Sequence, residues 1–328
     1  MRPLRTVNFL LILILLATVL MLPGCTGVLT SSQVKEVATF AAAAKAYGTF
    51  PGAVIRSHGQ LRASQKILQA TTFTSGDTAL RQVDAAVDIR RELDQRATAA
   101  DSALGVLNDY AALLVALTAD TYTNDLQGSA EALGGSIDRG IARYNDLRKT
   151  NLESFGAIAA AGVRGAGGVY IRHKQAEALK KAVISADPVI DAMINEVEKL
   201  LALYLSPDDL KNMKLTITNS GPAPEQLNLI RNVATDLRAT YKRIADNSGG
   251  KQDVEAALLT ADSLTNADNT IQLAVKALQA AETYRMAHRK LADNITQRQW
   301  LRNSIDQVKA LVVEVNAANK TKKKIESQ

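Results

Sequence analysis

From Asp77 to Thr118 the apolar residues recur in alternating steps of three and four: Val83, Ala86, Leu93, Ala97, Ala100, Leu104, Leu107, Ala111 and Leu114, with Arg90 in one intervening slot. Because an α-helix advances 3.6 residues per turn, such steps place side chains on a single stripe. Held over several heptads, the pattern also favours a gentle left-handed wrap between long helices. Thr74-Ser-Gly-Asp77 supplies capping residues at the start. About 42 residues at 1.5 Å each give a rod of roughly 63 Å. A rod of that length can cover its stripe only against other rods. The fold class expected is therefore all-α, an elongated antiparallel bundle with long helices and a short irregular insertion.

The rest of the chain supplies those partners. Thr30-Ser-Ser-Gln33 resembles a capping box and opens a helix to about Tyr47. Pro51 and three glycines between Gly48 and Gly59 predict a break, with a shorter helix resuming near Leu61. After a turn at Asp120–Asn124, a second stripe contains Leu126, Ala130, Leu133, Ile137, Ile141, Tyr144 and Leu147, followed by Leu152, Phe155 and Ile158. Gly134, Gly135 and Gly140 lower its helix preference but permit close neighbours. These two rods form a helical hairpin.

A further helix is expected from Ile171 to Tyr204, ended by Ser206-Pro207-Asp208-Asp209. There a capping serine, a first-turn proline and two carboxylates all suit a new helix start. Lys214–Pro222 reads as irregular, and Leu215–Thr218 is long enough for only a tiny strand. Pro224-Glu225-Gln226 reopens a helix to Asp246, which Asn247-Ser-Gly-Gly250 stops. From Gln252 to about Asn319 the chain reads as helix, with an interruption near Asn266–Asn269.

Seven prolines and 4% aromatic residues in an alanine-rich chain fit narrow spacing between helices. The expected organisation is a signal peptide over 1–24, a lipidated N-terminus and first helix over 25–54, the bundle over 55–319 and a basic flexible tail over 320–328. The formal charge of +6 falls to +4 once Arg2 and Arg5 leave with the leader. Lys320, Lys322, Lys323 and Lys324 crowd the C-terminus rather than lining an ordered element, so no nucleic acid is expected as a partner.

The N-terminus carries the address. Arg2 and Arg5 precede the apolar run Phe9–Leu22, and Pro23-Gly24-Cys25 follows, containing the only cysteine. This resembles the lipobox of bacterial lipoproteins, in which the thiol carries a diacylglyceryl group and the chain is cut before it. The resemblance implies a covalent lipid on Cys25 and attachment to the bacterial membrane. Thr26 stands where inner-membrane retention signals carry Asp, so an outer-membrane lipoprotein facing the periplasm is expected, with surface exposure open. A lone cysteine forms no internal disulfide. The apolar run has 14 residues, against about 20 for a membrane span.

Phe155–Ile171 combines small apolar residues with Gly162, Gly165, Gly167 and Gly168 and the single charge Arg164. Three readings stand: a thin helix at a tight junction, a flexible tip, or a membrane-inserting tongue. Phe155, Ile158, Val163, Arg164, Val169, Tyr170 and Ile171 are its candidate interaction or membrane residues. The last reading resembles α-helical pore-forming toxins in architecture only, and Arg164 opposes it because buried charge in lipid is costly. Trp300 is a packing anchor, with a partner contact as the alternative.

Candidate chemistry is sparse. His58, His173 and His288 are far apart in sequence and form no compact metal-ligand pattern. Glu92-Leu-Asp94 and Glu196-Val-Glu198 place their acids on different sides of a helix. Gly162–Gly168 lacks both the dinucleotide fingerprint and the P-loop ending. Ser31, Ser75, Ser206 and Ser248 suit caps and turns. No catalytic, cofactor or metal residues are assigned. The expectation is an envelope-anchored scaffold or interaction module, binding another envelope protein or itself. The alternative is an oligomerising membrane-remodelling or pore-forming protein.

Overall fold

The computed structural model describes residues 31–118, 124–148, 151–157, 170–213, 222–247, 253–295 and 303–327. In chain order its helices are α1 (Ser31–Tyr47), α2 (Phe50–Ala70), α3 (Gly76–Leu117), α4 (Asn124–Arg148), α5 (Tyr170–Ala202), α6 (Pro207–Asn212), α7 (Leu229–Asn247), α8 (Val254–Asn294) and α9 (Asn303–Glu326). A single 3-10 turn occupies Pro224–Gln226, and among the described residues there is no strand. The all-α elongated bundle expected from the repeats is the fold that forms.

Side-chain pairs fix how the helices run. Phe40 lies 5.8 Å from His288, Tyr47 lies 5.6 Å from Tyr284, and Ser57 bonds Asn266 at 2.9 Å. Thus α1 and α2 in succession run antiparallel to α8. Gly52 adjoins Asp101 and Gly59 adjoins Leu93, with Arg56 between them reaching Asp101 at 2.5 Å and Asp94 at 3.2 Å, which sets α3 antiparallel to α2. The start of α1 and the turn between α2 and α3 consequently occupy opposite ends of the bundle.

Although aromatics are scarce, they converge. Phe40, Tyr47, Phe50, Tyr110, Phe155 and Tyr284 are all buried. Ring contacts of 5.3 Å (Phe40–Tyr284), 6.0 Å (Tyr47–Phe50) and 5.7 Å (Tyr110–Phe155) link α1, α2, α3, α8 and the segment after α4. Each buried ring contributes about 1.5–3 kcal/mol of apolar transfer. Alanines fill the thinner contacts, with Ala44, Ala97, Ala182, Ala274 and Ala281 at zero exposure. The same core takes in α1 and α9 through Phe40 and Leu311.

Several boundaries differ from expectation. The second helix begins at Phe50, not near Leu61, because Pro51 sits in the first turn, where its missing N–H costs nothing. Gly52 lies inside this helix against α3: a Cβ there would stand 2.0 Å from Asp101 Oδ1. After α4 the chain does not continue the helical stripe. It turns back along α4, with Asn145 exchanging two 2.9 Å bonds with the Leu152 backbone and Asp138 accepting from the amides of Gly156 (2.7 Å) and Ala157 (2.9 Å).

Pro224-Glu225-Gln226 makes only the 3-10 turn, and α7 starts at Leu229. The intervening Asn228 takes φ 72° and donates its N–H to Leu205 at 2.9 Å, a conformation asparagine tolerates better than most residues. No interruption occurs at Asn266–Asn269. The polar side chains there are used across the interface with α2, where Ser57 contacts both Asn266 and Thr270. The expected continuous helix instead ends at Asn294. The basic C-terminus is not a tail through Glu326: Thr321 is buried and accepts from Lys276 at 3.0 Å, and Lys322 donates to Thr49 at 3.1 Å.

Candidate functional site

Three features stand out: a buried polar chain, an apolar pocket and an exposed apolar stripe. The first joins three helices. His288 on α8 has zero exposure, with Nδ1 2.9 Å from Asp187 on α5 and Nε2 2.8 Å from the Tyr110 hydroxyl on α3. Burial lowers the His288 pKa despite the opposing pull of Asp187. The hydrogen bond from His288 holds Asp187 below its ordinary value, and burial raises Tyr110. A neutral ring therefore donates from Nδ1 to the carboxylate and accepts a hydrogen bond from the Tyr110 hydroxyl at Nε2. Carboxylate, imidazole and hydroxyl have the composition of a catalytic relay. With Tyr110 and His288 closed from solvent, they act as a clamp among α3, α5 and α8.

The clamp continues along α5 and α8. Arg289 donates to Asp191 at 3.2 Å, and Arg285 to Asn195 at 3.0 Å and to Glu198. Burial raises the Glu198 pKa even with Arg285 against it. Two residues before Glu198, Glu196 faces elsewhere and pairs with Lys199 at 2.9 Å. The acids of Glu196-Val-Glu198 thus separate as expected. Ser206 caps α6 as read from sequence, and with Asp209 it forms a reciprocal capping box, the Asp209 amide donating to Ser206 at 3.1 Å.

His58 differs from His288. It is 4% exposed, neither ring nitrogen has a hydrogen-bond partner, and its ring meets Tyr204 at 5.3 Å. Burial, aided by the Arg62 charge, lowers its pKa to about 4, and burial pushes Tyr204 up to about 12. Neither described histidine side chain is on the surface. Among the described residues, no group of three or more His, Cys, Asp or Glu is arranged to hold a metal.

The pocket lies between α3, α4 and α5 and has a volume of about 540 Å³. Ala99, Ala100 and Ala103 form one wall, while Met193, Val197 and Leu200 form the facing one. Tyr144, Pro222 and Gln226 contribute the remaining sides. The Glu196–Lys199 pair, partly exposed, supplies its charged edge.

The stripe is on α3, near its turn with α2. Leu80, Val83 and Val87 are 58%, 40% and 52% exposed, and Phe73 beside them is also exposed. Val83 is thus a surface residue rather than the core position its spacing implied; burial on this helix starts with Ala86 and Ala97. Beside the stripe lie Asp77, Arg81, Asp84, Asp88 and Arg91, all exposed. By length and composition α3 passes as a membrane span, but its C-terminal half is bundle core.

Few residues singled out from sequence are described. Cys25, Ile158, Val163, Arg164, Val169 and Trp300 lie outside the described residues. Tyr170 and Ile171 open α5, but their side chains are likewise outside, as is that of His173. Phe155 is not at an exposed tip: it is 2% exposed and packs edge-on against Tyr110. The pocket and the Asp187–His288–Tyr110 chain were not foreseen, because their members come from separate helices and share no local pattern. The exposed stripe had a partial local signal, since Leu80 and Val87 are apolar residues off the main seam. Compared with known proteins, the chain matches no family model, no curated protein and no solved structure.

Proposed function

We propose that this chain is an envelope-anchored helical scaffold that joins to a second copy of itself through the end farthest from its lipid. The observation that carries this reading is the stripe Leu80–Val83–Val87, exposed at the end of the bundle opposite the start of α1. The lipobox-like leader supports an anchor at Cys25, six residues before that start. Anchor and stripe then lie at opposite ends of a rod. Helix α8 alone, at 41 residues, spans roughly 60 Å.

The charges beside the stripe suit a second copy better than an unrelated partner. When two α3 helices lie antiparallel about an axis near Asp84, Leu80 comes opposite the second copy's Val87. Asp77 then faces Arg91. The parallel arrangement offers no such pair. Antiparallel contact also sends the two N-termini in opposite directions, so the dimer suits bridging two facing surfaces that both carry the chain, as surface exposure allows. The contact is small beside the roughly 1,000 Å² of a stable interface, and anchoring many copies on each surface compensates by multivalency.

A version with an N-terminal histidine tag in place of the lipid, bound to nickel-lipid vesicles, tests this. Light scattering should show vesicles clustering, and Leu80→Asp with Val87→Asp should keep them dispersed without altering the helical circular dichroism. Vesicles that remain single at saturating coverage of the unmutated chain would overturn the reading.

A further inference from the structure

The geometry points to the pocket between α3, α4 and α5 as a binding site for one aliphatic chain of an amphiphile, with its polar end held at the mouth. The pocket opens to solvent, and the surface it offers is mostly apolar. At about 540 Å³ this space falls within the range of small-molecule sites, roughly 300–1,000 Å³. Its size has a cause in the sequence. Three alanines, Ala99, Ala100 and Ala103, stand where larger apolar residues would close the gap between α3 and α5. Opposite them, Met193 and Val197 are 2% and 6% exposed, and Met is a side chain that adapts its shape to what it touches.

Charge selects against a fully polar occupant. Among the described lining residues the only ionic groups are Glu196 and Lys199, which neutralise one another at 2.9 Å. An ion placed between the alanine wall and Met193 would lose its water without gaining a partner. A hydrocarbon chain loses only unfavourable hydration there, worth about 0.8 kcal/mol per buried CH₂. Polar contact is available at Gln226, which is exposed, and at the partly exposed Glu196–Lys199 pair, so the head of the ligand stays with them. A free fatty acid, a lysophospholipid and one chain of a bilayer lipid share this chemistry.

Dansyl-undecanoic acid is a suitable probe for the chain Cys25–Gln328 carrying Cys25→Ser, which has no lipid of its own. Saturable binding with blue-shifted emission is expected. Ala103→Phe, which fills the pocket, should weaken binding at least tenfold. Ala99→Phe, at an exposed position on the same wall, should weaken it by several fold and serves as the variant least able to disturb folding. Leu80→Asp should leave binding unchanged, because the stripe and the pocket are separate sites.

Competition then identifies the source. Displacement by palmitate or lysophosphatidylcholine assigns a single-chain ligand, and displacement by diacyl vesicles alone assigns a chain borrowed from a bilayer. Failure of all three to displace the probe, absence of saturable binding, or undiminished binding by both folded alanine variants would overturn the site.

Discussion

Asp187 and His288, 101 positions apart in the chain, meet at 2.9 Å, and the bond between them fixes which nitrogen of the ring carries its proton. A carboxylate only accepts, so Nδ1 is protonated and Nε2 is left to accept from Tyr110 at 2.8 Å. Asp187→Ala removes the first acceptor and leaves a buried N–H unsatisfied, at a cost of about 1–3 kcal/mol. Tyr110→Phe should cost about 1 kcal/mol. Urea unfolding should show lower midpoints at unchanged slope, with a non-additive double variant, since both bonds share one ring.

Acidification should weaken the fold through His58. Its folded pKa, about 4, lies below the 6.5 of an ordinary imidazole. The unfolded chain therefore takes up the proton first, so stability is full above pH 6.5 and falls progressively toward pH 4. The loss amounts to roughly 3 kcal/mol at the lower limit. His288 is shifted the same way, which makes the difference between chains the informative quantity. His58→Phe should lose less stability than the unmutated chain between pH 7.5 and 5 in urea titrations. Identical slopes would remove His58 as a cause.

Glycines separate by what lies next to them. A Cβ at Gly156 would stand 2.0 Å from the backbone oxygen of Gly134, where no side chain can yield. Gly156→Ala should destabilise by about 1–3 kcal/mol through overpacking. A Cβ at Gly105, within α3, meets nothing within 4 Å. Gly105→Ala should therefore stabilise by up to about 1 kcal/mol, because alanine loses less backbone freedom in a helix. Thermal melts of the two variants should move in opposite directions.

Association through α3 makes a charge-specific prediction. Asp77→Arg and Arg91→Asp should each abolish vesicle clustering, and combining them should restore it, because the pair is exchanged rather than lost. Asp84 faces its own copy near the axis, a like-charge contact. Asp84→Asn should strengthen clustering and reduce its dependence on salt. Equal loss in all three charge-changed chains would argue for a different register.

The helical class and the long rod of α3 were legible because burial at a 3.6-residue period leaves its mark along the chain. The cap at Ser206–Asp209 was equally readable, since every participating group lies within one turn. Local signals misled where a neighbour settled the outcome. Pro51 and Gly52 read as a break, yet the glycine sits inside α2 against Asp101, whose other oxygen receives Arg56. Val83 followed the α3 spacing but falls where no second helix covers it.

What the sequence determined by itself was the helical periodicity and the cap at Ser206, both properties of residues a few positions apart. Only the tertiary structure decided that Phe155 would fold back onto Tyr110, that Asp187 would reach His288, and that three alanines would leave a cavity beside Met193. Those outcomes depend on the relative placement of rods. A helix of given pattern can bury the same stripe against several neighbours, and the best fit among all of them is what selects one.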